Sequence, residues 1–173
     1  MANAATLSID ATLLPDEIAL TLSNISVLYT PADANDGWYY RLTNITGSSS
    51  DLIRSAESYI QKGTTPTGVD TGSSSSTVAT ADKVKFLFIR HLSVTDDGST
   101  AQTADSIYVC FDAGTAAHNE GDCIEIGPGE CWFGKLSGAT VADVHAISAI
   151  KAGGGTSSTK IQCQVAAVLD DVA

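Results

Sequence analysis

Basic side chains are scarce in this sequence and nowhere grouped: nine Lys and Arg stand against twenty Asp and Glu, a net charge of −11. A sequence-independent grip on phosphates takes clustered Lys and Arg. Arg41, Arg54, Lys62, Lys83, Lys85, Arg90, Lys135, Lys151 and Lys160 form no such patch, so no nucleic-acid partner is expected, and anionic membrane surfaces are disfavoured likewise. No apolar run approaches the ~20 residues of a membrane span. The Met-Ala-Asn-Ala-Ala-Thr start lacks the positive charge and apolar stretch of a signal peptide, which predicts synthesis in the cytosol and no membrane association.

The motifs of common chemistry are missing as well. No Gly-x-Ser-x-Gly elbow occurs, and the cysteines sit in apolar alternating stretches that disfavour thiolates, so no catalytic residue is assigned. His91, His118 and His145 are dispersed. His118-Asn119-Glu120-Gly121-Asp122 gathers one imidazole with two carboxylates, but at a spacing that matches no established ligand set. The stretch from Gly121-Asp122 to the Gly127-Pro128-Gly129 turn resembles the second motif of metal-binding cupins. It departs from them where the ligands belong, with Cys131 and Trp132 after the turn and no His-x-His anywhere. No metal and no cofactor are therefore assigned. Asp96-Asp97-Gly98, with Asp105 beyond, lacks the twelve-residue calcium-loop pattern and is read as a hairpin turn. Gly153-Gly154-Gly155-Thr156 lies between strands, without the helix or lysine of a phosphate loop.

Of the four cysteines, Cys110, Cys123, Cys131 and Cys163, none forms a Cys-x-x-Cys pair. They are read as reduced thiols in or near the core. Only Cys123 and Cys131, symmetric about Gly127, are placed where a hairpin would set them opposite each other.

What is present is β pattern. Ser, Thr, Gly and Ala are abundant while charged residues make up only 17%, a composition of many short strands and turns. Ile124 and Ile126 alternate with Glu125 before Gly127-Pro128-Gly129, so Cys123–Ile126 and Cys131–Leu136 read as two strands folded about that turn. Further strands are predicted at 7–14, 18–29 with a slip near Asn24, 38–42, 84–92, 106–111, 145–150 and 161–169. Residues 50–61 are the one helix expected, with Asp51 as cap and Leu52, Ile53, Ala56, Tyr59 and Ile60 at helical spacing. The low-complexity stretch from Lys62 to Ala81 reads as a flexible loop, or one ordered by a partner. The predicted architecture is all-β: a jelly-roll-like antiparallel β-sandwich over residues 31–173, with an N-terminal arm over 1–30 and one short helix.

Trp38-Tyr39-Tyr40 is the only aromatic cluster, and consecutive residues on a strand place rings on both faces. At least one ring is therefore expected at the surface or an interface. These three, with Leu7, Ile9 and Leu13 of the arm, are the interface candidates.

The segments Val84-Lys85-Phe86-Leu87-Phe88-Ile89-Arg90, Ser106-Ile107-Tyr108-Val109-Cys110-Phe111-Asp112, Ile124-Glu125-Ile126-Gly127-Pro128-Gly129-Glu130 and Asp143-Val144-His145-Ala146-Ile147-Ser148-Ala149 resemble the small β-sandwich accessory proteins of tailed-bacteriophage virions. That class includes capsid decoration, or cement, proteins and some tail, neck and fibre components. The resemblance is one of pattern over about half the chain. It implies a non-enzymatic virion protein made in the host cytoplasm, self-associating as a homotrimer or homodimer, with the major capsid protein as partner. It also leaves open a tail, neck or fibre component, and a carbohydrate- or receptor-binding module. The arm would add a strand to a neighbour through backbone hydrogen bonds.

Overall fold

A computed structural model describes residues 5–12, 21–29, 36–57, 77–112, 116, 121, 123–148 and 160–170. The chain divides into two compact units, Met1–Ala34 and Asn35–Ala173. In the first, β1 (Ala5–Thr12) and β2 (Thr21–Tyr29) form an antiparallel ribbon in which Leu7 faces Val27 and Ile9 faces Ile25 across the ladder. The register then shifts, Ala11 lying opposite Leu22. The extra residue falls at Ser23-Asn24, where the slip in alternation predicted it.

Among its described residues the second unit has eight strands: β3 (Asp36–Ile45), β4 (Ser50–Asp51), β5 (Lys83–Thr95), β6 (Ile107–Cys110), β7 (Cys123–Ile126), β8 (Cys131–Lys135), β9 (His145–Ser148) and β10 (Ile161–Asp170). They make two four-stranded antiparallel sheets, ordered β3-β10-β5-β8 and β4-β9-β6-β7. Successive strands change sheet at every connection except β6 to β7. The period-2 pattern explains the core. Along β10, Ile161, Cys163, Val165, Ala167 and Leu169 all point inward, beside Tyr39 and Ile45 of β3 and Leu87 and Ile89 of β5. Ile107, Val109, Ile126 and Ala146 of the other sheet join the same buried cluster.

Three expectations are corrected. Residues 50–57 form no helix; a single 3-10 turn at Val141–Asp143 is the helical element among the described residues. Ser50 and Asp51 instead pair with Ala146 and His145 of β9, and the Leu52 N–H donates to the Val144 carbonyl. Backbone groups committed to a ladder are lost to a helix, and Ala56 has φ of 65°, outside the right-handed helical region. Leu52 and Ile53 do go inside, as two neighbouring plugs of the core.

The second correction concerns the Gly-Pro-Gly turn. β7 and β8 do not pair; they belong to different sheets, so the turn is an arch over the edge of the unit rather than a hairpin. Its own geometry is the one its residues predict. Pro128 and Gly129 occupy the centre, Gly129 with φ of 80°, and the Glu130 N–H donates to the Gly127 carbonyl at 3.0 Å. The Glu130 carboxylate returns to accept the Gly127 N–H at 2.7 Å.

The third follows from the second. Cys123 is disulfide-bonded to Cys110, its directly opposite partner across β6 and β7, at a Cα–Cα distance of 4.4 Å. Cys131 is free and exposed, and Cys163 is free and buried, its thiol pushed up to about 12 by burial. The disulfide lies on the face of its sheet away from the main core, in a small cluster with Ala116, Ile147 and Tyr108.

Part of the expected 62–81 loop is fixed: the Ala56 N–H donates to the Val78 carbonyl and the Val78 N–H donates to the Glu57 carbonyl, both at 2.7 Å, and Val78 is buried in the core. Residues 58–76 lie outside the described residues, as do Leu13, His118 and the 153–156 glycine run.

Candidate interaction face

Because β3, β10, β5 and β8 alternate inward and outward, their registers assemble three rows on the outer face. Trp38, Val168, Phe86 and Lys135 form the first, Tyr40, Ala166, Phe88 and Phe133 the second, and Leu42, Gln164, Arg90 and Cys131 the third. Five of these twelve side chains are aromatic. A face of a sheet turned away from its core is ordinarily polar, so the concentration of rings is the feature that marks it. Phe86 and Val168 are buried within it, while Trp38, Tyr40, Phe88 and Phe133 are half-buried. Leu42, 48% exposed, is the large apolar side chain most open to solvent among the described residues.

The interface candidates divide accordingly. Trp38 and Tyr40 lie on the outer face, where the Gln164 amide donates to the Tyr40 hydroxyl at 3.1 Å. Tyr39 points the other way into the core, and its hydroxyl accepts the Arg54 N–H at 3.3 Å. Burial raises its pKa. Leu7 and Ile9 occupy register positions on β1 in the separate N-terminal unit. Phe86, Phe88 and Phe133 were not singled out from the sequence. The signal was there in the alternation of β5 and β8, but joining them with Trp38 and Tyr40 requires β10 to lie between β3 and β5.

Three other titratable groups named from the sequence, His91, His145 and Asp97, are held in hydrogen bonds of the fold. His91 is fully buried, with Nδ1 accepting the Ser93 N–H at 2.9 Å and Nε2 donating to the Asp105 carbonyl at 3.0 Å. Both ring nitrogens are thus engaged, and burial holds its pKa below the usual imidazole range despite the nearby carboxylates Asp105 and Glu130. His145 donates from Nε2 to the Ala142 carbonyl at 2.7 Å. The Asp97 carboxylate collects the Ser99 and Thr100 N–H groups and the Thr95 and Thr100 hydroxyls at 2.6–2.9 Å. These donors depress its pKa strongly, the Thr100 hydroxyl most, and complete the turn expected at Asp96-Asp97-Gly98. Among the described residues no three His, Cys, Asp or Glu side chains converge on a point where a metal would sit.

A polar cavity of about 430 Å3 opens where β3 turns into β4, lined by Asn44, Thr46, Ser50, Asp51, Arg54, Ser55 and Lys160. Hydroxyls, an amide, two cations and a carboxylate meet there. Asn44 contributes a buried side-chain oxygen with no hydrogen-bond partner among the described residues. The Lys160 ammonium is paired with Asp96 at 2.9 Å. Nothing in the sequence pointed to this cavity, because its walls come from segments more than a hundred residues apart. No family model, curated protein or solved structure matches the chain.

Proposed function

We propose that this chain is a non-enzymatic structural protein of a tailed-phage virion, which decorates the capsid and bridges neighbouring copies of the major capsid protein. The outer face carries the reading: a row-by-row array of Trp38, Tyr40, Phe86, Phe88 and Phe133 on a sheet surface suits a broad protein contact rather than a small-molecule pocket. The strand order supports the jelly-roll architecture that goes with it. Counted within the second unit, the sheets run first-eighth-third-sixth and second-seventh-fourth-fifth, the interleaving of two Greek keys found in capsid and lectin domains. An acidic chain without clustered cations fits a protein partner better than packaged nucleic acid. In this reading the copies self-associate as a homodimer or homotrimer, and repetition around a shell multiplies a modest contact.

The test is cosedimentation of the purified protein with assembled capsid shells of the source phage. Saturable binding that Phe133→Ser and Trp38→Ala each weaken supports decoration through this face. Binding to isolated tails or necks and not to shells moves the protein to those structures, and binding to none of them sinks the reading.

The polar cavity favours a second reading, a carbohydrate-binding module. Arg54, Lys160, the Ser and Thr hydroxyls and the unpartnered Asn44 oxygen are groups that hold sugar hydroxyls or an acidic sugar. Glycan-array binding that is abolished by Arg54→Ala would establish it; an array without signal would remove it.

A further inference from the structure

We infer that β3 is the self-association edge: it pairs antiparallel with β3 of a second copy about a two-fold axis beside Tyr40, joining two four-stranded sheets into one of eight. The inference rests on the self-assembling reading above and names the surface that reading would use. β3 is ten residues long and lies at the edge of its sheet, and no described strand lies along its outer side. Exposed edges of that length are ordinarily blunted by lysine, proline or a bulge. β3 contains neither Lys nor Pro, and its ladder with β10 runs unbroken from Asp36 to Ile45. The opposite edge of the sheet, β8, is five residues long and ends on Lys135.

Its side chains fit a second copy in one register. Directly opposed residues of an antiparallel pair share a face, so an axis beside Tyr40 sets the two Tyr40 residues opposite each other and Trp38 opposite the second copy's Leu42. That covers the exposed Leu42 and continues the apolar outer face across the axis. Moving the axis to Arg41 would set two guanidinium groups opposite each other, a destabilising arrangement. Moving it to Leu42 would push Trp38 opposite residue 46, past the end of the strand.

Charge selects the occupant. In a chain of net charge −11, the paired residues 36–44 carry a single carboxylate, Asp36, which this register sets opposite the second copy's Asn44, and Arg41 is already paired with Glu57. Two acidic molecules therefore meet here with the least repulsion. Nine paired residues on each copy would extend the contact over roughly 30 Å.

Sedimentation velocity of the full chain over a concentration series tests this. The expected result is a dimer that Leu42→Lys weakens roughly tenfold or more, with an unchanged far-UV circular dichroism spectrum. A second arm uses the Cys131→Ser background: Tyr40→Cys should form a covalent dimer on mild oxidation, whereas Asn44→Cys, placed opposite the second copy's Asp36, should not. If Leu42→Lys disturbs the fold, the cross-link decides alone. A chain that stays monomeric, or an oligomer indifferent to Leu42→Lys and without the Tyr40 cross-link, overturns the inference. Capsid cosedimentation is scored separately. Shell binding with an oligomer that ignores β3 removes the edge only, and a Tyr40-linked dimer that ignores shells removes decoration only.

Discussion

His91 shows how much a single buried polar group can settle. Its two nitrogens are used by Ser93 and Asp105, and Ser93 takes φ of 59° to bring its N–H onto the ring. A neutral imidazole is the form that satisfies both partners, and burial holds the folded pKa below the about 6.5 of a free side chain. The unfolded chain therefore takes up the proton first as pH falls, so this contribution is present above about pH 6.5 and is lost as pH drops through the folded value. Melting temperatures between pH 7.5 and 5.5 should fall with acidification, and His91→Gln should flatten that slope while lowering stability at neutral pH. At the disulfide, the Cys110→Ser/Cys123→Ser double variant should lose about 3 kcal/mol in denaturant titrations, the loop-closure value for a sequence separation of 13. Reducing agent should shift the wild type and leave the variant unmoved. The pairing turned on one residue: a strand ending at 111, as the alternation predicts, would set Phe111 opposite Cys123, whereas β6 ends at Cys110 and sets the two cysteines opposite each other. Symmetry about Gly127 drew attention to Cys131 instead, because a Gly-Pro-Gly turn serves an arch between sheets as well as a hairpin within one.

At the scale of elements, position was legible and partnership was not. β7 begins and ends where alternation put it, and β5, β8 and β10 differ from expectation by one to three residues at their ends. Alternation reports which side of a strand is buried, a local property, and says nothing about the neighbour that completes the ladder. The 50–61 segment failed for a related reason. Leu52, Ile53 and Ala56 satisfy helical spacing, yet Leu52 and Ile53 enter the core directly after β4, whose ladder with β9 ends at Asp51. The aromatic outer face was half visible: Trp38 and Tyr40 stood out in sequence, while Phe86, Phe88 and Phe133 looked like ordinary strand residues. The arch turn yields a prediction of its own. Gly129→Ala should cost about 1–2 kcal/mol, since a side chain at φ of 80° is strained. A Cβ there would meet the Ser93 hydroxyl at an ordinary 3.6 Å, so the loss should be conformational, visible as a lower denaturation midpoint with an unchanged slope. Gly134→Ala should be worse in kind, because its Cβ would lie 2.9 Å from the Trp132 ring. That variant should also perturb near-ultraviolet circular dichroism, where Trp132 packs on Phe111 at a centroid distance of 5.3 Å.

For the whole molecule, the decisive feature is that β10 lies between β3 and β5, pairing with β3 along its entire length. About 115 residues of chain separate Ile45 from its partner Ile161, and folds built on such distant pairings close slowly. A chain cut before Ile161 should therefore show no cooperative melt, whereas one begun at Asn35, at the boundary of the second unit, should retain it. The same placement governs the birth of the protein. While a ribosome is still making it, β3 and β5 are already in solution with the strand that belongs between them not yet translated, and several chains growing on one messenger hold their open strands side by side. Each nascent chain is then a potential mispairing partner for the next, and sparse loading of ribosomes with fast completion of each chain, rather than greater stability of the finished fold, becomes the condition that raises the yield of native protein.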